Sequence, residues 1–580
     1  MTRASAHHTH SSLSFTCGYR YSPMSDFTAA HHAAVTQLTG AGAPFEIVDH
    51  PRGDYSVRGY LNAEQNLRDV MAPGRKFGEA LFLEYPGQSW TFADFFSAVD
   101  RLAGYLQARC NISPGDRVAI AMRNRPEWLI AFVAIVECGG VAVPLNSWGK
   151  SAELEQGLSD SEAQLVVCDS LRFGFIKETN SGAATLLVDA EQSEAPDHHW
   201  SAALQAALTA APAAAQPHDP AIMLFTSGTS GRPKGVIFTH ANACQSLMNI
   251  ELIGAATYVT NTDAMNRQFA SGTPAKTLLA VPLFHISGLF SQFIINLRHG
   301  RSVYLMYKWD AEEALRLVRE SGITVLMGAP TMLLDLLNRD DTDPKDFLAI
   351  ANVSAGGADT PPLLHELYRQ KTPEGLAGAG WGLTESGGTG AAFTGHFMHE
   401  RPGASGFPSP IMEFRFCDDA GTEVSSGEPG EIWVRSAATI AGYATGDKSQ
   451  TPFRDGWLAT GDIGFIDQEG LLYICGRAKD MVLRGGENIY PSEIEATLLE
   501  HPDCIEAAVV ALPDATFGEV PGAVLRLTAD SSLEDTTLDA WCQQRMAHYK
   551  IPSAWRFTRE ALPRNAVNKL LKQDIKDRFF

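Results

Sequence analysis

The alternation of apolar, strand-like runs with amphipathic helical segments is the feature that most restricts the fold of this 580-residue chain. Thr91 begins a segment with apolar residues at helical spacing, and Asp94 completes the pattern of a capping box. The run 118–122 is typical of a strand, Pro126 begins a second helix, and 141–145 predicts the next strand. This order of strand, helix and strand predicts a parallel sheet covered by helices.

The same alternation recurs further along the chain. We predict strands at 163–168 and 324–327, and helices at 309–320 and 330–337. The alanine-rich stretch 202–215 predicts a helix that runs on into a linker. These segments indicate more than one doubly wound α/β unit.

Past about Glu400 the predicted elements change. Short strands such as 431–435 and 471–475 alternate with turns. We expect a barrel-like β unit there. The last hundred residues, with strands at 509–511 and 523–527, predict a small α+β domain that begins near Lys479.

The predicted fold class is therefore α/β. The large N-terminal domain, residues 25–478, contains two doubly wound subdomains and the barrel-like unit. The C-terminal domain comprises residues 479–580. No internal repeat is present in the sequence.

Charge and cysteine usage exclude several classes of protein. The chain has 67 acidic and 46 basic residues and a net charge of -21, without a run of Lys or Arg. A nucleic-acid or anionic-membrane surface needs a basic footprint, so neither partner is expected. Nine cysteines, never at CxxC spacing, argue against a disulfide framework or a zinc site and favour a reducing cytoplasm.

The most apolar stretch, 128–145, contains Glu137 and two adjacent glycines, which indicates a buried helix followed by a strand rather than a membrane span. The first 25 residues have no acid, several histidines and no apolar segment, so a secretory signal is not expected. We expect residues 1–24 to be a disordered leader. Met24 is our hypothesis for the true start, which N-terminal sequencing of native protein tests.

The densest glycine cluster, 226–235, lies between two apolar runs that predict strands. Its four hydroxyls, three glycines and Lys234 suit a loop that wraps phosphate oxygens with backbone N–H groups and side chains. It is not a Walker A loop, because Pro233 and Gly235 flank the lysine. The alternative, a flexible linker, does not explain the flanking strands.

This loop resembles the signature of the adenylate-forming superfamily, which comprises acyl-CoA synthetases, adenylation domains of peptide synthetases and beetle luciferases. The resemblance extends over nearly the whole chain from about Gly40, because further motifs occur in the family's order. They are found at 284–288, 354–358, 380–385, 457–462, 476–480, 484–491 and 563–569.

The resemblance implies a nucleotide site. Trp381 replaces the commoner Tyr and would stack on adenine, Asp462 would accept hydrogen bonds from the ribose, and the turn at 354–358 would lie against the base. The implied ATP- or AMP-binding residues are Thr226, Ser227, Gly228, Thr229, Ser230, Gly231, Lys234, Gly356, Gly357, Ala358, Trp381, Asp462 and Arg477.

The resemblance also implies the catalytic residues. Thr384 would bind the α-phosphate, and Glu385 would hold Mg²⁺, a hard cation that prefers carboxylate and phosphate oxygens. His285 would lie beside the acyl carboxylate, and Lys569 would be the adenylation lysine. Asn568 replaces the usual glycine before that lysine, and Asn tolerates a positive φ better than most residues.

Three further implied features concern the second half-reaction and the acid. Lys479 would be the hinge of a mobile C-terminal domain, and Gly485 and Gly486 would line the CoA channel. Apolar residues that follow His285 would line an acyl pocket, although ordinary helix core explains them equally well. These pocket residues are Ile286, Leu289 and Phe290.

We therefore expect an ATP-dependent ligase that forms an acyl-adenylate and then a CoA thioester from a hydrophobic acid, for which we predict a medium- or long-chain fatty acid. ATP and CoA would be co-substrates and Mg²⁺ the cofactor. One alternative is a ligase that loads a carrier-protein phosphopantetheine. Another is a non-catalytic nucleotide-binding module. The sequence leaves a homodimer open.

Overall fold

The computed structural model describes residues 26–189, 195–211, 214–226, 233–270, 274–357, 360–440, 442–444, 452–485, 487–565 and 569–580. Within these residues the α-helices are α1 (Asp26–Thr39), α2 (Leu67–Met71), α3 (Phe92–Arg109), α4 (Pro126–Glu137), α5 (Ser151–Ser161), α6 (Ser170–Ile176), α7 (Trp200–Gln205), α8 (His240–Thr260), α9 (Thr262–Ala270), α10 (Ile295–His299), α11 (Ala311–Ser321), α12 (Pro330–Leu337), α13 (Pro362–Lys371), α14 (Pro491–Leu499), α15 (Asp535–Gln543) and α16 (Lys572–Phe579).

Strands of the same residues are β1 (Ile47–Arg52), β2 (Tyr55–Tyr60), β3 (Leu81–Tyr85), β4 (Gln88–Thr91), β5 (Arg117–Ala121), β6 (Val141–Pro144), β7 (Leu165–Cys168), β8 (Ala184–Leu187), β9 (His198–His199), β10 (Pro220–Thr226), β11 (Lys234–Thr239), β12 (Lys276–Leu279), β13 (Ser302–Leu305), β14 (Val325–Gly328), β15 (Asn352–Ala355), β16 (Leu376–Trp381), β17 (Ala391–Thr394), β18 (Ala404–Pro408), β19 (Glu413–Cys417), β20 (Gly430–Arg435), β21 (Phe453–Arg454), β22 (Trp457–Ile466), β23 (Leu472–Arg477), β24 (Val482–Arg484), β25 (Glu487–Ile489), β26 (Cys504–Asp514), β27 (Gly518–Leu527) and β28 (Ala554–Thr558). A π-helical segment, Ser287–Ile294, leads directly into α10.

The first large sheet has the strand order β11-β10-β6-β5-β7-β8-β9. Its strands pair in parallel from β10 to β9, and the β10–β11 hairpin is antiparallel. Helices α3 and α4 pack against it in the largest apolar cluster of the described residues. The predicted unit at 91–145 is confirmed: Thr91 and Asp94 form the capping box of α3, and α4 leads into β6.

The second large sheet has a parallel part with the order β16-β15-β14-β12-β13-β3. From β16 onward the pairing is antiparallel through β17 and β18 to β23, β22, β20 and β19. The strands predicted past residue 400 are therefore present, and their hydrogen bonding continues the second sheet through β18.

The C-terminal part of the chain forms a separate five-stranded sheet of β24 to β28. Helices α14 and α15 pack on it and give it a hydrophobic core of its own, which includes Val482, Ile494, Val509 and Leu538. The large and the small domain of the predicted fold class are thus both present. The exact boundary at Lys479 stays a prediction, and the sheet begins at Val482.

The helix predicted within 202–215 is wrong for most of its length. Only α7, Trp200–Gln205, is helical. Beyond it the chain lies along α3, where the Gln107 side chain accepts from Ala211 N at 2.8 Å and donates to Ala211 O at 3.0 Å. Gly104 allows this approach, since a Cβ there would lie 2.6 Å from the backbone of Leu208. Tertiary contacts override the helix propensity of alanine.

The stretch 128–145 forms the buried core of α4 and strand β6, as predicted. No helix among the described residues combines the length and the apolar character that crossing a membrane requires.

Candidate active site

A cavity of about 2820 Å³ lies between the second sheet, the first sheet and the C-terminal domain. Several of its lining residues follow the carboxyl ends of strands: Gly356 follows β15, Thr384 follows β16, and Thr226 ends β10. Loops at the carboxyl ends of sheet strands are where open α/β folds bind ligands. We therefore take this cavity as the candidate active site.

The predicted phosphate loop connects the two strands of a hairpin, β10 and β11. Thr226 ends β10, Lys234 begins β11, and the two residues pair directly across the antiparallel strands. Both line the cavity. The five predicted residues between them, Ser227, Gly228, Thr229, Ser230 and Gly231, lie outside the described residues.

Glu385 presents a carboxylate at the cavity wall, in the 3₁₀ turn Thr384–Ser386. Its Oε1 accepts a hydrogen bond from the Tyr443 hydroxyl at 2.9 Å and from Thr226 Oγ1 at 3.4 Å. Burial and the Glu385 charge raise the pKa of Tyr443. The Lys234 ammonium lies 5.3 Å from the centre of the Tyr443 ring.

These contacts fit a magnesium ion held mainly by phosphate oxygens. Among the described residues Glu385 has no Lys or Arg within ion-pair distance, and its two hydrogen bonds go to a single oxygen. No cluster of three His, Cys, Asp or Glu side chains within the described ranges could cage a metal. A single carboxylate is what Mg²⁺ uses when substrate phosphates supply the other ligands.

The glycine turn after β15 gives the cavity an open wall. Gly356 and Gly357 both line the cavity, and a Cβ at either position would meet no atom within 4 Å. Gly357 has a φ of +83°, which favours glycine. Ala358, the third predicted residue of this turn, lies outside the described residues.

Trp381, Asp462 and Arg477 form a connected group. The Trp381 indole donates from Nε1 to Asp462 Oδ2 at 2.9 Å, and Arg477 Nε lies 2.6 Å from Asp462 Oδ1. Asp462 and Arg477 are paired across β22 and β23. Trp381 and Arg477 line the cavity, whereas Asp462, 5% exposed, is not one of the described lining residues.

This group changes what the sequence predicted for Trp381 and Asp462. The Trp381 side chain, 8% exposed, packs in an apolar cluster with Met412, Val434 and Leu458. Its indole N–H is committed to Asp462. Each carboxylate oxygen can still accept another hydrogen bond, so a ribose contact of Asp462 stays a prediction.

His285 lies in the loop between β12 and the π-helical segment, and it lines the cavity. Its Nε2 is buried without a hydrogen-bond partner, and its ring centre is 4.2 Å from that of Phe284. Burial, with a smaller contribution from the Lys569 charge, lowers the pKa of His285 to about 3. The imidazole is therefore neutral near pH 7, and Lys569 lines the same cavity.

Lys569 reaches the cavity from the C-terminal domain. Asn565 holds its backbone twice: the Lys569 N–H donates to Asn565 Oδ1 at 2.9 Å, and the Asn565 N–H donates to Lys569 O at 2.9 Å. Arg564, paired with Glu506 at 2.7 Å, braces the start of this turn. Asn568, which replaces the expected glycine, lies outside the described residues.

The predicted hinge residue lines the cavity, whereas the described residue of the predicted CoA channel does not. Lys479 lies in the 3₁₀ turn Ala478–Asp480 and lines the cavity. Gly485, in the turn between β24 and β25, donates its N–H to Phe517 O at 2.8 Å and is not among the described lining residues. Gly486 lies outside the described residues. In this arrangement Lys569 contacts the cavity and the Gly485 turn does not.

The three predicted acyl-pocket residues lie in two different environments. Ile286 and Phe290 line the cavity. Leu289 is fully buried in the core cluster formed with α3, α4 and α8, and the described cavity wall does not include it. The π-helical turn directs Leu289 into the core, so the helix-core interpretation applies to this residue.

Sequence reasoning missed Tyr443 and Asn565. Tyr443 contacts both Glu385 and Lys234, and Asn565 fixes the backbone of Lys569. A tyrosine between small residues after a predicted strand, and an asparagine four residues before the motif lysine, were the available signals. Neither spacing reveals the contact partner.

Two models of known protein families match this chain. The model of the AMP-binding enzyme family matches residues 72–444, and that of the AMP-binding enzyme C-terminal domain matches residues 493–569.

Individual relatives are matched over most of their length. A 2-succinylbenzoate–CoA ligase of Bacillus velezensis is 35% identical over 502 residues, which are 86% of this chain and 95% of that protein. A long-chain-fatty-acid–CoA ligase of Bacillus subtilis is 30% identical over 533 residues, 86% of this chain and 92% of that protein.

Solved structures show the same similarity. The o-succinylbenzoate CoA synthetase of Bacillus subtilis, in complex with the acyl-adenylate OSB-AMP, aligns with a TM-score of 0.72 and 30% identity over 89% of this chain and 99% of that one. Its complex with ATP and a magnesium ion aligns with a TM-score of 0.71 and 31% identity over 88% and 99%. The chain therefore belongs to the AMP-binding enzyme family, the family of ATP-dependent acid–CoA ligases such as these.

Proposed function

We propose that this protein activates a carboxylic acid with ATP as an acyl-adenylate and then transfers the acyl group to the thiol of CoA. The observation that carries the proposal is that Lys569 of the C-terminal domain, His285 and Glu385 all line one cavity. A cation, a neutral imidazole and a carboxylate at one site suit a reaction between two anions.

In the first step a carboxylate oxygen of the acid attacks the α-phosphorus of ATP, and the bond to the bridging oxygen breaks to release pyrophosphate. The Lys569 ammonium lies between the approaching anions and reduces their repulsion. Because its charge is held in place by the Asn565 turn, we expect it to stabilise the transition state by about 3–4 kcal/mol. The neutral His285 ring adds no competing charge at this point.

Thr226, Thr384 and Lys234 would hold the phosphates, as their hydroxyl and ammonium groups at the cavity suggest. Glu385 would hold Mg²⁺, which neutralises phosphate charge when it is bound. The Tyr443 hydroxyl fixes the Glu385 carboxylate by its hydrogen bond.

In the second step the thiol sulfur attacks the acyl carbonyl carbon, its proton passes to solvent, and AMP leaves. Rotation of the C-terminal domain about Lys479 would withdraw Lys569 and bring the Gly485 turn to the cavity. The present position of Gly485 away from the cavity, with Lys479 at its edge, supports two working arrangements of one domain.

The relatives act on more than one class of acid. A fatty acid, our expectation from the sequence, agrees with the long-chain-fatty-acid–CoA ligase. The 2-succinylbenzoate–CoA ligase, which has the higher identity, acts on an aromatic acid instead. We therefore propose that the substrate is a hydrophobic carboxylic acid. The assay described next distinguishes aryl from aliphatic acids.

The acceptor is tested directly. Pyrophosphate and AMP release would be measured with ATP, Mg²⁺ and a panel of fatty and aryl acids, with and without CoA. CoA-dependent AMP release with one acid class is the expected result. Pyrophosphate release that free CoA does not accelerate would favour a carrier-protein acceptor, and no release with any acid would favour a non-catalytic nucleotide-binding module. A homodimer and a cytoplasmic location stay predictions.

A further inference from the structure

We propose that the end of the cavity far from His285 binds a second carboxylate of the acid, and that Arg301 is the residue that receives it. The substrate class would then be dicarboxylic acids. This inference rests on the proposed ligase function and narrows its acid.

One continuous helical wall leads from His285 to Arg301. The π-helical segment begins two residues after His285, passes into α10 and ends at His299, just before Arg301 at the start of β13. Thirteen residues separate His285 from Arg298, so at about 1.5 Å per residue the wall is about 20 Å long. Its residues that line the cavity are Ile286, Ser287, Phe290, Ser291, Gln292, Ile295, Arg298 and His299.

Helix α8 forms another wall of the same cavity. Its lining residues recur at helical spacing along one side and are mostly apolar or small. They are Ile250, Glu251, Ile253, Gly254, Ala255, Thr257 and Tyr258. An acid whose carboxylate lies beside His285 would therefore pass its body along these walls towards the amino ends of β12 and β13.

Arg301 lies at this far end, lines the cavity and is mostly buried. Its guanidinium has neither an ion pair nor a hydrogen bond to any of the described residues. Burial lowers its pKa, with an opposing contribution from the Glu251 charge. A guanidinium on the wall of a cavity is only partly hydrated, and a bound carboxylate would give it a hydrogen-bonded anion.

The carboxylate near Arg301, Glu251, already has two other side-chain partners. Glu251 Oε1 lies 2.8 Å from Arg298 Nε and 2.7 Å from His299 Nε2. Arg298 also donates to Val70 O at 3.1 Å. Arg298 also pairs with Glu64 at 3.5 Å. Both nearby carboxylates therefore contact Arg298 or His299, and neither forms an ion pair with Arg301 among the described residues.

The chemistry of this end selects the ligand. A monocarboxylic acid would place its apolar tail against the Arg301 guanidinium. Such a tail has no acceptor for the guanidinium N–H groups. A carboxylate matches the planar fork of the guanidinium with two parallel hydrogen bonds. The length of the wall requires the two carboxylates to lie at opposite ends of a long or a bulky acid.

The test compares pairs of acids in the full-length protein. For each carbon number, kcat/KM for CoA-dependent AMP release is measured with the α,ω-dicarboxylic acid and with the monocarboxylic acid, in the unchanged protein and in Arg301→Gln. We expect the unchanged protein to prefer the dicarboxylic acid at one or more lengths, and Arg301→Gln to reduce that preference about 30-fold. Arg301→Lys, which keeps the charge, should retain part of it.

A matched control separates loss of this contact from general damage. Arg319→Gln changes an arginine on α11 that pairs with Asp346 on the surface, away from the cavity, and should leave the ratio of the two acids as it is. An equal ratio in the unchanged protein and in Arg301→Gln would overturn the proposal. A preference for the monocarboxylic acid at every length would also overturn it.

Failure of the ligase function would be recognised separately, because then neither series gives CoA-dependent AMP. In that case calorimetric titration with the dicarboxylic acids decides the present inference. Binding to the unchanged protein that weakens in Arg301→Gln supports it, and the absence of binding refutes it.

Discussion

The two sides of the cavity are built in different ways. On the N-terminal side, Gly356, Thr384 and His285 follow strands of one parallel sheet whose side chains are buried in a large core. On the C-terminal side, Lys569 projects from a turn that is fixed by Asn565 within its own domain. The first side is held by a continuous sheet, and the second belongs to a separate sheet with a core of its own. We propose that the second side moves as a unit.

This difference assigns the two half-reactions to the two sides. Groups that must stay fixed relative to the nucleotide belong to the sheet. The group needed for only one half-reaction belongs to the small domain, whose connection runs through Lys479 and the Ser492 hydroxyl, which donates to Cys475 O. Four changes test this division, beginning with the one that should have the largest effect.

Replacing Lys569 with alanine should remove the cation that we assign to the first step on the C-terminal side. We expect kcat for acyl-adenylate formation to fall by about 100- to 1000-fold. Thioester formation from preformed acyl-adenylate should change little, because Lys569 is then withdrawn. Single-turnover assays of the two steps measure both. Lys550→Met, which removes a lysine paired with Glu493 outside the cavity, is the control.

An equal loss in both steps of Lys569→Ala would contradict the division, because it would place the lysine in both arrangements.

Replacing Lys479 with proline should restrict rotation of the small domain. Proline is tolerated in the first turn of a helix, so the 3₁₀ turn Ala478–Asp480 and the arrangement with Lys569 at the cavity should persist. We expect adenylation to be retained and thioester formation to fall about 100-fold, the cost of misplacing a reacting group. Lys479→Ala, which keeps the backbone free, is the control. Equal damage to both steps would argue against a hinge at this residue.

Replacing Tyr443 with phenylalanine should weaken the positioning of Glu385 on the N-terminal side of the cavity. The lost hydrogen bond to the Glu385 carboxylate is of the kind that contributes about 1.5 kcal/mol, so we expect adenylation to slow about tenfold and to need more Mg²⁺. Tyr368→Phe is the control, since the Tyr368 hydroxyl is buried without a hydrogen-bond partner. An unchanged magnesium requirement in Tyr443→Phe would show that this hydroxyl does not position Glu385.

The smallest expected effect concerns the stability of the fixed side. His365 on α13 is 8% exposed, both ring nitrogens lack hydrogen-bond partners, and burial lowers its pKa to about 4. Below pH 6.5 the unfolded chain binds a proton that the folded chain does not, so the free energy of unfolding falls as pH decreases. Between pH 7.5 and 5.5 this loss is about 1 kcal/mol for one such histidine.

His365→Phe should therefore reduce the pH dependence of urea unfolding by about that amount. A variant with the same pH dependence as the unchanged protein would show that His365 takes up its proton when folded.

Much of the fold could be predicted because its signals are local. The capping box of α3, the apolar runs of β5 and β6, and the strands of the C-terminal sheet all depend on residues within one or two turns of each other. The prediction at 202–215 was wrong because Gln107, about one hundred residues earlier in the chain, binds that segment in a non-helical form.

By itself the sequence determined the order of strands and helices, the family and the set of candidate site residues, because periodicity and motif spacing are properties of neighbouring residues. Only the tertiary structure decided that Trp381 donates to Asp462, that Leu289 enters the core, and that Lys569 and His285 line one cavity. It also decided that Arg301 lines this cavity without an ion pair to the part of the chain that the structure describes. These contacts join residues that are distant in the chain, or depend on which side of a helix faces the core. Burial and electrostatic pairing between packed helices and strands determine these contacts. The spacing of residues along the sequence indicates neither burial nor pairing.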